Sequence, residues 1–486
     1  MAALAEIFEE RVRVDCAAPI ARARPVATAS LLAVSDVISL AAGGCLGFIS
    51  WSFVNPGVTA TPYFVLWPAL FVFPLVYASM GLYPAAGLGT VEELRRTVLS
   101  TTVVYLAASA SIFMLKDVGV YSRGVFVFSW LCSTVLVPLS RALVRWRCAA
   151  RSWWGVPVVI LGAGETGRLL CSRLLEQPSL GLKPVAFLDD HGAQEPHAGV
   201  VVSGPLSEAP AISASLRVRH ALVAMPGAER QELISVLEEM GAVFPHLIVI
   251  PDLFGMASLW VFPRDLGGVL GLEIRQNLLL PVNRWLKRGL DLTLSLLFGV
   301  LSLPVLALAV VWIKRVSPGP AFYAQQRQGE AGCPIRVLKL RTMFPDAEMR
   351  LLEYLDADPD ARDEWGRYLK LKNDPRILPG IGHFLRRTSL DELPQFWNVL
   401  RGEMSLVGPR PFPEYHLGKF GGKFRELRCR VTPGITGLWQ VSARSNGDLK
   451  VQEALDSYYI RNWSLWLDLH ILARTLRAVF SRQGAY

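Results

Sequence analysis

The chain has 486 residues, 52% of them hydrophobic and only 19% charged, which excludes a single ordinary soluble core and points to a membrane protein of several domains. Its net charge of +9 suits nucleic acid, an anionic bilayer or phosphorylated substrates, but the basic residues bracket apolar segments, which favours membrane and phosphate over nucleic acid. The seven cysteines form no C-x-x-C pair, so neither a zinc site nor a disulfide framework has support.

Four stretches approach the roughly 20 apolar residues that cross a bilayer: Leu31 to Phe53, Pro62 to Tyr83, Val98 to Leu115 and Gly124 to Leu143. They predict a membrane α-helical bundle over 1–150. Arg11, Arg13, Arg22 and Arg24 precede the first stretch, Arg95 and Arg96 lie in the second loop, and Arg141, Arg145, Arg147 and Arg151 mark the exit. The positive-inside rule makes these flanks cytoplasmic, in a multi-pass membrane protein. No cleavable signal peptide is expected, because no small-residue site follows a short apolar core.

A second domain is expected over 151–283. The run Pro157 to Leu161, then Gly162-Ala163-Gly164-Glu165-Thr166-Gly167, then a helix from Arg168 to Glu176, reads as the strand, glycine turn and helix of a Rossmann-like fold. The helix after Gly162, Gly164 and Gly167 would offer its N-terminal amides to a pyrophosphate, and the strand Pro184 to Leu188 ends in Asp189-Asp190, where Asp190 would meet a ribose. NAD or another nucleotide is one reading of these glycines, and close helix-to-sheet packing is the other. Further strands are expected at Ala221 to Met225 and Leu247 to Ile250. An NAD-dependent nucleotide-sugar dehydratase or epimerase is the rival function. It lacks a Tyr-x-x-x-Lys near the glycines, since Tyr368 to Lys372 lies beyond the next apolar segment.

The fifth apolar stretch, Leu292 to Ile313, is flanked by Lys287 and Arg288 before it and by Lys314 and Arg315 after it, and Pro304 lies near its middle. Both ends favour the cytoplasmic face, and a proline removes a helical hydrogen bond. The expectation is a re-entrant hairpin over 287–315, with a kinked transmembrane helix as the alternative. It opens a small α+β domain over 284–486.

Within that domain Asp391 and Glu392 precede Pro394, which can open the helix Gln395 to Leu400. Ser389-x-x-Glu392 also has the form of a capping box, in which Glu392 satisfies a backbone amide and does no chemistry. Arg341, Arg386, Arg387, Arg410, Arg430 and Arg444 lie in short glycine- or proline-flanked segments. Clustered guanidinium groups bind phosphate oxygens, and a carboxylate pair facing them can hold Mg²⁺ or attack phosphorus. The stretch Tyr458 to Leu469 has helical spacing and suits either the headgroup layer or a core.

Ordered blocks in the last third of the chain carry a resemblance. Lys339-Leu340-Arg341-Thr342-Met343, Ser389-Leu390-Asp391-Glu392-Leu393-Pro394-Gln395, Met404-Ser405-Leu406-Val407-Gly408-Pro409-Arg410-Pro411 and Val431-Thr432-Pro433-Gly434-Ile435-Thr436-Gly437 resemble the bacterial sugar transferase family of polyprenyl-phosphate hexose-1-phosphate transferases. The whole chain, notably Ile250-Pro251-Asp252-Leu253 and Gly268 to Leu280, is similar to its undecaprenyl-phosphate galactose phosphotransferase branch. The resemblance implies transfer of hexose 1-phosphate, galactose before glucose, from a UDP-sugar to undecaprenyl phosphate at the start of O-antigen, capsule or exopolysaccharide assembly. It implies Asp391 as nucleophile in a ping-pong reaction, Glu392 with nearby Asp391 on Mg²⁺, and Arg341 and Arg410 at phosphate. Arg386, Arg387 and Arg444 stand as further substrate contacts. Leu303 replaces the serine that precedes Pro304 in the family, with Ser302 one residue away. A homodimer is compatible with this organisation.

Overall fold

A computed structural model describes residues 23–114, 121–190, 196–251, 261–265, 270–274, 277–358, 362, 371, 374–418, 420–442 and 449–480. The described residues fall into two compact units, one within Arg13–Leu253 and one within Phe254–Tyr486. Arg11, Arg13, Arg22, Arg444 and the pair Tyr368 and Lys372 lie outside the described residues or, for Lys372, within the gap beside residue 371.

The first unit begins with helices α1 (Pro25–Val54), α2 (Val72–Ser79), α3 (Thr90–Met114) and α4 (Arg123–Cys148). α1 and α4 lie close because small residues face each other: a Cβ on Gly47 would come within 2.3 Å of the Ser129 amide nitrogen. The expected second span is not one helix. Pro62 to Tyr83 divides into the helix Thr61–Phe64, a 3₁₀ turn Trp67–Phe71 and α2. Pro62, Pro68 and Pro74 explain this, each lacking the amide hydrogen that a continuing helix needs. Among the described residues, three helices are long and apolar enough to cross a membrane: α1, α4 and Pro281–Val316 of the second unit. Inside the helical layer Arg141 pairs with Asp36 at 2.6 Å and with Glu93 at 2.9 Å, and Arg145 pairs with Glu93 at 2.7 Å, so four buried charges satisfy one another.

The same unit contains a five-stranded parallel sheet in the order β3-β2-β1-β4-β5, from β1 (Val156–Leu161), β2 (Leu182–Leu188), β3 (Val202–Gly204), β4 (His220–Val223) and β5 (His246–Val249). Alternation along β1 and β4 supplies both faces. Val159, Leu161, Ala221 and Val223 pack with Met240 and Phe244, while Val158, Ile160 and Leu222 pack with Cys171 and Leu174. This is the expected Rossmann-like layer. Helix and sheet layers are joined by hydrogen bonds from the Gly155 amide to Thr28 Oγ1 at 2.9 Å and from the Gly87 amide to Leu180 O at 2.7 Å.

The second unit is built around α5 (Pro281–Val316), which carries the fifth apolar stretch as one 36-residue helix with Pro304 inside it. Its buried positions, Lys287, Asp291, Ser295, Ser302, Ala309 and Ile313, form a single stripe, while Leu296, Leu297, Val300, Leu301 and Leu308 are exposed. Leu303 belongs to the exposed side, and Ser302 Oγ donates to Gly299 O at 2.8 Å. Around α5 lie the hairpin of β6 (Phe322–Gln328) and β7 (Pro334–Leu340), helices α6 (Ile381–Thr388) and α7 (Gln395–Arg401), and the parallel pair β8 (Ser405–Val407) and β9 (Gly434–Thr436). Helix α8 (Gly422–Cys429) lies between those strands in sequence, and α9 (Leu449–Asn462) and α10 (Leu465–Phe480) follow.

The start of α5 is fixed by ionic contacts. Lys287 Nζ donates to Asp468 at 2.8 Å and to Val407 O at 2.9 Å, and Arg288 donates to Val399 O and Leu400 O at the end of α7. Its other end is fixed by packing, Ala309 and Ile313 joining Leu340, Leu378, Ile381 and Leu385 in one buried cluster. The stretch Tyr458 to Leu469 is not one helix but the junction of α9 and α10. Tyr459 and Trp463 are buried there and donate to Asp468 at 2.8 and 3.0 Å, the core-packing alternative.

Candidate active site

Asp391 and Glu392 stand on a single 3₁₀ turn, Leu390–Glu392, between α6 and α7. Ser389 enters that turn with φ +57°, a left-handed backbone that ends α6 and redirects the chain. The capping-box alternative does not form. Ser389 makes no side-chain cap, and the Glu392 carboxylate is turned to Lys339 and Arg410. Pro394 serves as N-cap of α7 with φ −61°, so the helix starts where expected and both carboxylates precede it.

Lys339 comes from the end of β7. Its Nζ lies 2.8 Å from Glu392 Oε1 and 3.8 Å from Asp391 Oδ2. Arg410, between Pro409 and Pro411 after β8, donates to the same Glu392 oxygen at 3.0 Å. The buried Asn398 sets the lysine's height: its Oδ1 accepts from the Leu338 amide at 3.0 Å and its Nδ2 donates to Arg336 O at 2.7 Å, stapling α7 to β7. Neither Lys339 nor Asn398 was expected as a site residue. Strand alternation gives no signal for Lys339, which has the parity of the buried Ile335 and Val337.

The two carboxyls are driven apart. Burial raises Asp391 above the usual carboxylate range, with Glu392 adding to the rise and Lys339, Arg386 and Arg410 opposing it. Burial would raise Glu392 too, but Arg410 and Lys339 outweigh it and hold that carboxyl down at about 2. Glu392 is thus a fixed anion clamped by two cations, while Asp391 is the more basic carboxylate and, among the described residues, accepts no hydrogen bond. Two carboxyls on one turn thus have opposite electrostatic settings, one held as an anion and the other pushed up by burial.

The other predicted residues divide. Arg386 joins the site: its Nε donates to Thr342 Oγ1 at 3.0 Å and its charge acts on Asp391. Arg341 is buried and turned away, donating to Ser317 O at 2.6 Å and Pro318 O at 3.1 Å, where α5 ends. Gly319, with φ +114°, leaves room for that guanidinium, which would lie 2.9 Å from a Cβ there. Arg387 is exposed on the outer face of α6, and Arg444 lies outside the described residues. Among the described residues no group of three or more His, Cys, Asp or Glu side chains forms a metal cage. Asp391 and Glu392 offer carboxylate oxygens, the hard donors that Mg²⁺ takes.

In the parallel sheet the predicted glycines are brought together at the end of β1. Gly162 has φ +100°, and a Cβ on Gly167 would come within 2.0 Å of Gly162 O, so both are required by close helix-to-turn packing. Asp189 Oδ2 accepts from the Ala163 amide at 2.7 Å, whereas Asp190 is turned to the Leu206 amide at 2.7 Å. The acid facing the glycine turn is therefore Asp189. Gly164, the N-cap of the helix Glu165–Glu176, has open space before it.

Comparison with known proteins adds independent findings. The profile described as bacterial sugar transferase matches residues 282–482, and one described as a CoA-binding domain matches 78–251. The chain is 36% identical over 413 residues to the UDP-galactose-lipid carrier transferase of Erwinia amylovora, covering 81% of this chain and 82% of that protein. It is 35% identical to the undecaprenyl-phosphate galactose phosphotransferase of Salmonella typhimurium, covering 75% of this chain and 77% of that protein. It is also 32% identical to the UDP-glucose:undecaprenyl-phosphate glucose-1-phosphate transferase of Escherichia coli, covering 68% of each.

Proposed function

The chain belongs to the bacterial sugar transferase family, and from that premise we propose that it transfers galactose 1-phosphate from UDP-galactose to undecaprenyl phosphate, releasing UMP. The observation that carries this reading is the pair Asp391 and Glu392 on one turn, clamped by Lys339 and Arg410, in a unit entered through an apolar helix. Galactose is favoured by the two relatives of 35% and 36% identity, and glucose is the second reading, favoured by the relative at 32%.

In the proposed reaction an Asp391 carboxylate oxygen attacks the sugar-bearing phosphorus, the bond from that phosphorus to the bridging oxygen breaks, and UMP leaves with the electron pair. The phosphate oxygen of undecaprenyl phosphate then attacks the same phosphorus, breaking the bond to Asp391 and restoring its carboxylate. The raised basicity of Asp391 suits a nucleophile, and Glu392 holds Lys339 and Arg410 beside it as phosphate-facing cations. Mg²⁺, held by Glu392 and Asp391, would neutralise the diphosphate when bound. Arg386 is placed to add a further cation.

We also place α5 as re-entrant in the cytoplasmic leaflet. A straight 36-residue helix is about 54 Å long, yet its start is tied to Val399, Leu400 and Asp468 while its end packs with Leu340 and Leu385 of the same compact unit. A bend at Pro304 reconciles this anchoring with an exposed apolar middle, and it leaves the carboxylates on the cytoplasmic side, where nucleotide-sugars are. α1 and α4 then serve as membrane spans, an even number of crossings that keeps both ends of the helical layer cytoplasmic. UMP release from purified protein, screened over UDP-hexoses with undecaprenyl phosphate present, tests the reading: UDP-galactose should give the highest turnover, and absence of release with every UDP-hexose would end it.

A further inference from the structure

Arg428 belongs to none of the recognisable carboxylate or phosphate positions, yet it is only 8% exposed and its surroundings are unusual for a structural arginine. It lies on α8, and its guanidinium rests 4.5 Å from the ring centre of Phe412, with Phe424 and Phe420 beyond. One of its terminal nitrogens donates to the backbone carbonyl of Arg410. The other lies 3.6 Å from Asp456 Oδ2, and among the described residues neither of those two buried atoms makes a hydrogen bond. Arg410 in turn donates to Glu392 at 3.0 Å. A continuous chain of contacts therefore runs from Asp456 on α9 through Arg428 and Arg410 to the carboxylate turn.

The segment that Arg428 grips is short and stiff. Pro409 O accepts from the Gly434 amide at 3.0 Å and Phe412 O accepts from the Gln328 amide at 3.3 Å, so the backbone is fixed on either side of Arg410. Arg428 supplies the side-chain contact at the residue between them. Losing it leaves the Arg410 carbonyl without that donor and lets the peptide turn, which moves the base of the side chain that clamps Glu392.

We infer that Arg428 is a positioning residue for sugar-phosphate transfer: by holding the Arg410 carbonyl it fixes the Arg410 guanidinium on Glu392, with Phe412 and Asp456 holding Arg428 in turn. This rests on the reading of Glu392 and Arg410 as parts of the active site, and the test separates the two claims. Turnover of UMP release and the thermal midpoint are measured for the full-length protein and for Arg428→Met, Arg428→Lys, Arg410→Gln and the double variant Arg428→Met with Arg410→Gln. Arg428→Met should lower turnover about tenfold or more at an unchanged KM for UDP-galactose, and Arg428→Lys, which keeps a donor and a charge, should recover part of it. If Arg428 acts through Arg410, the double variant loses no more than Arg410→Gln alone. A merely structural arginine gives losses that multiply in the double variant, or a lowered midpoint with normal turnover of the folded fraction, and either result overturns the inference. Should Arg428→Met not fold, the same cycle is run with Arg428→Lys, and multiplied losses there overturn it equally. Normal turnover in Arg410→Gln alone would instead remove the active-site reading on which the inference rests.

Discussion

Replacing Lys339 by methionine removes the cation nearest both carboxyls while keeping the length and apolar body of the side chain. Its Nζ lies 3.8 Å from Asp391 Oδ2, and two unit charges at that distance attract by about 4 kcal/mol at an effective dielectric of about 20. The side chains are 23% and 14% exposed, so solvent weakens this, but a third of it, about 1.4 kcal/mol, is already tenfold in an ionisation equilibrium. Lys339 is the largest influence that lowers the Asp391 carboxyl, so its loss raises a group that burial already pushes up. A nucleophilic carboxylate must be unprotonated, and activity falls as pH drops through its titration. The acid limb of kcat/KM for UMP release should therefore move about one pH unit higher in Lys339→Met, with a smaller change in Lys339→Arg. An unmoved limb, or one moved to lower pH, would refute the electrostatic account of Asp391.

Asp391→Asn should abolish both UMP release and lipid product, measured with separated nucleotide and lipid fractions. Glu392→Gln should weaken both and raise the Mg²⁺ concentration needed for half-maximal turnover, since the proposed metal ligand, which also pairs with Lys339 and Arg410, loses its charge. Gly167→Ala should destabilise the Arg13–Leu253 unit by more than about 1 kcal/mol in thermal unfolding, because its Cβ would lie 2.0 Å from Gly162 O. Cysteine placed at Trp285 and at Ser317 should be labelled from the same side of the membrane, and labelling from opposite sides would make α5 a spanning helix.

Much of this molecule is legible in its sequence because its local signals agree. Glycine-punctuated β1 and the helix after it announced the parallel sheet, and the charges at Lys287, Arg288, Lys314 and Arg315 marked the ends of the long apolar helix. The second apolar stretch misled because hydropathy ignores that Pro62, Pro68 and Pro74 each remove a backbone donor. Asp36 was hidden for a similar reason: a carboxylate inside an apolar run has meaning only once Arg141, more than a hundred positions away, is known to face it. At the site, the adjacent Asp391 and Glu392 were visible in one short motif. Their opposite electrostatic settings were not, since these depend on Lys339 and Arg410, brought from a strand and a loop. Arg341 shows the converse, because its position in a recognisable motif says nothing about its guanidinium turning to Ser317 and Pro318.

The covalent step is the central claim, and mass spectrometry of the protein incubated with UDP-galactose and Mg²⁺, without undecaprenyl phosphate, addresses it directly. The account predicts one added hexose phosphate on the peptide that carries Asp391, formed with one UMP released and discharged when undecaprenyl phosphate is supplied. UMP release with that peptide unmodified throughout, or the adduct on another residue, would contradict it.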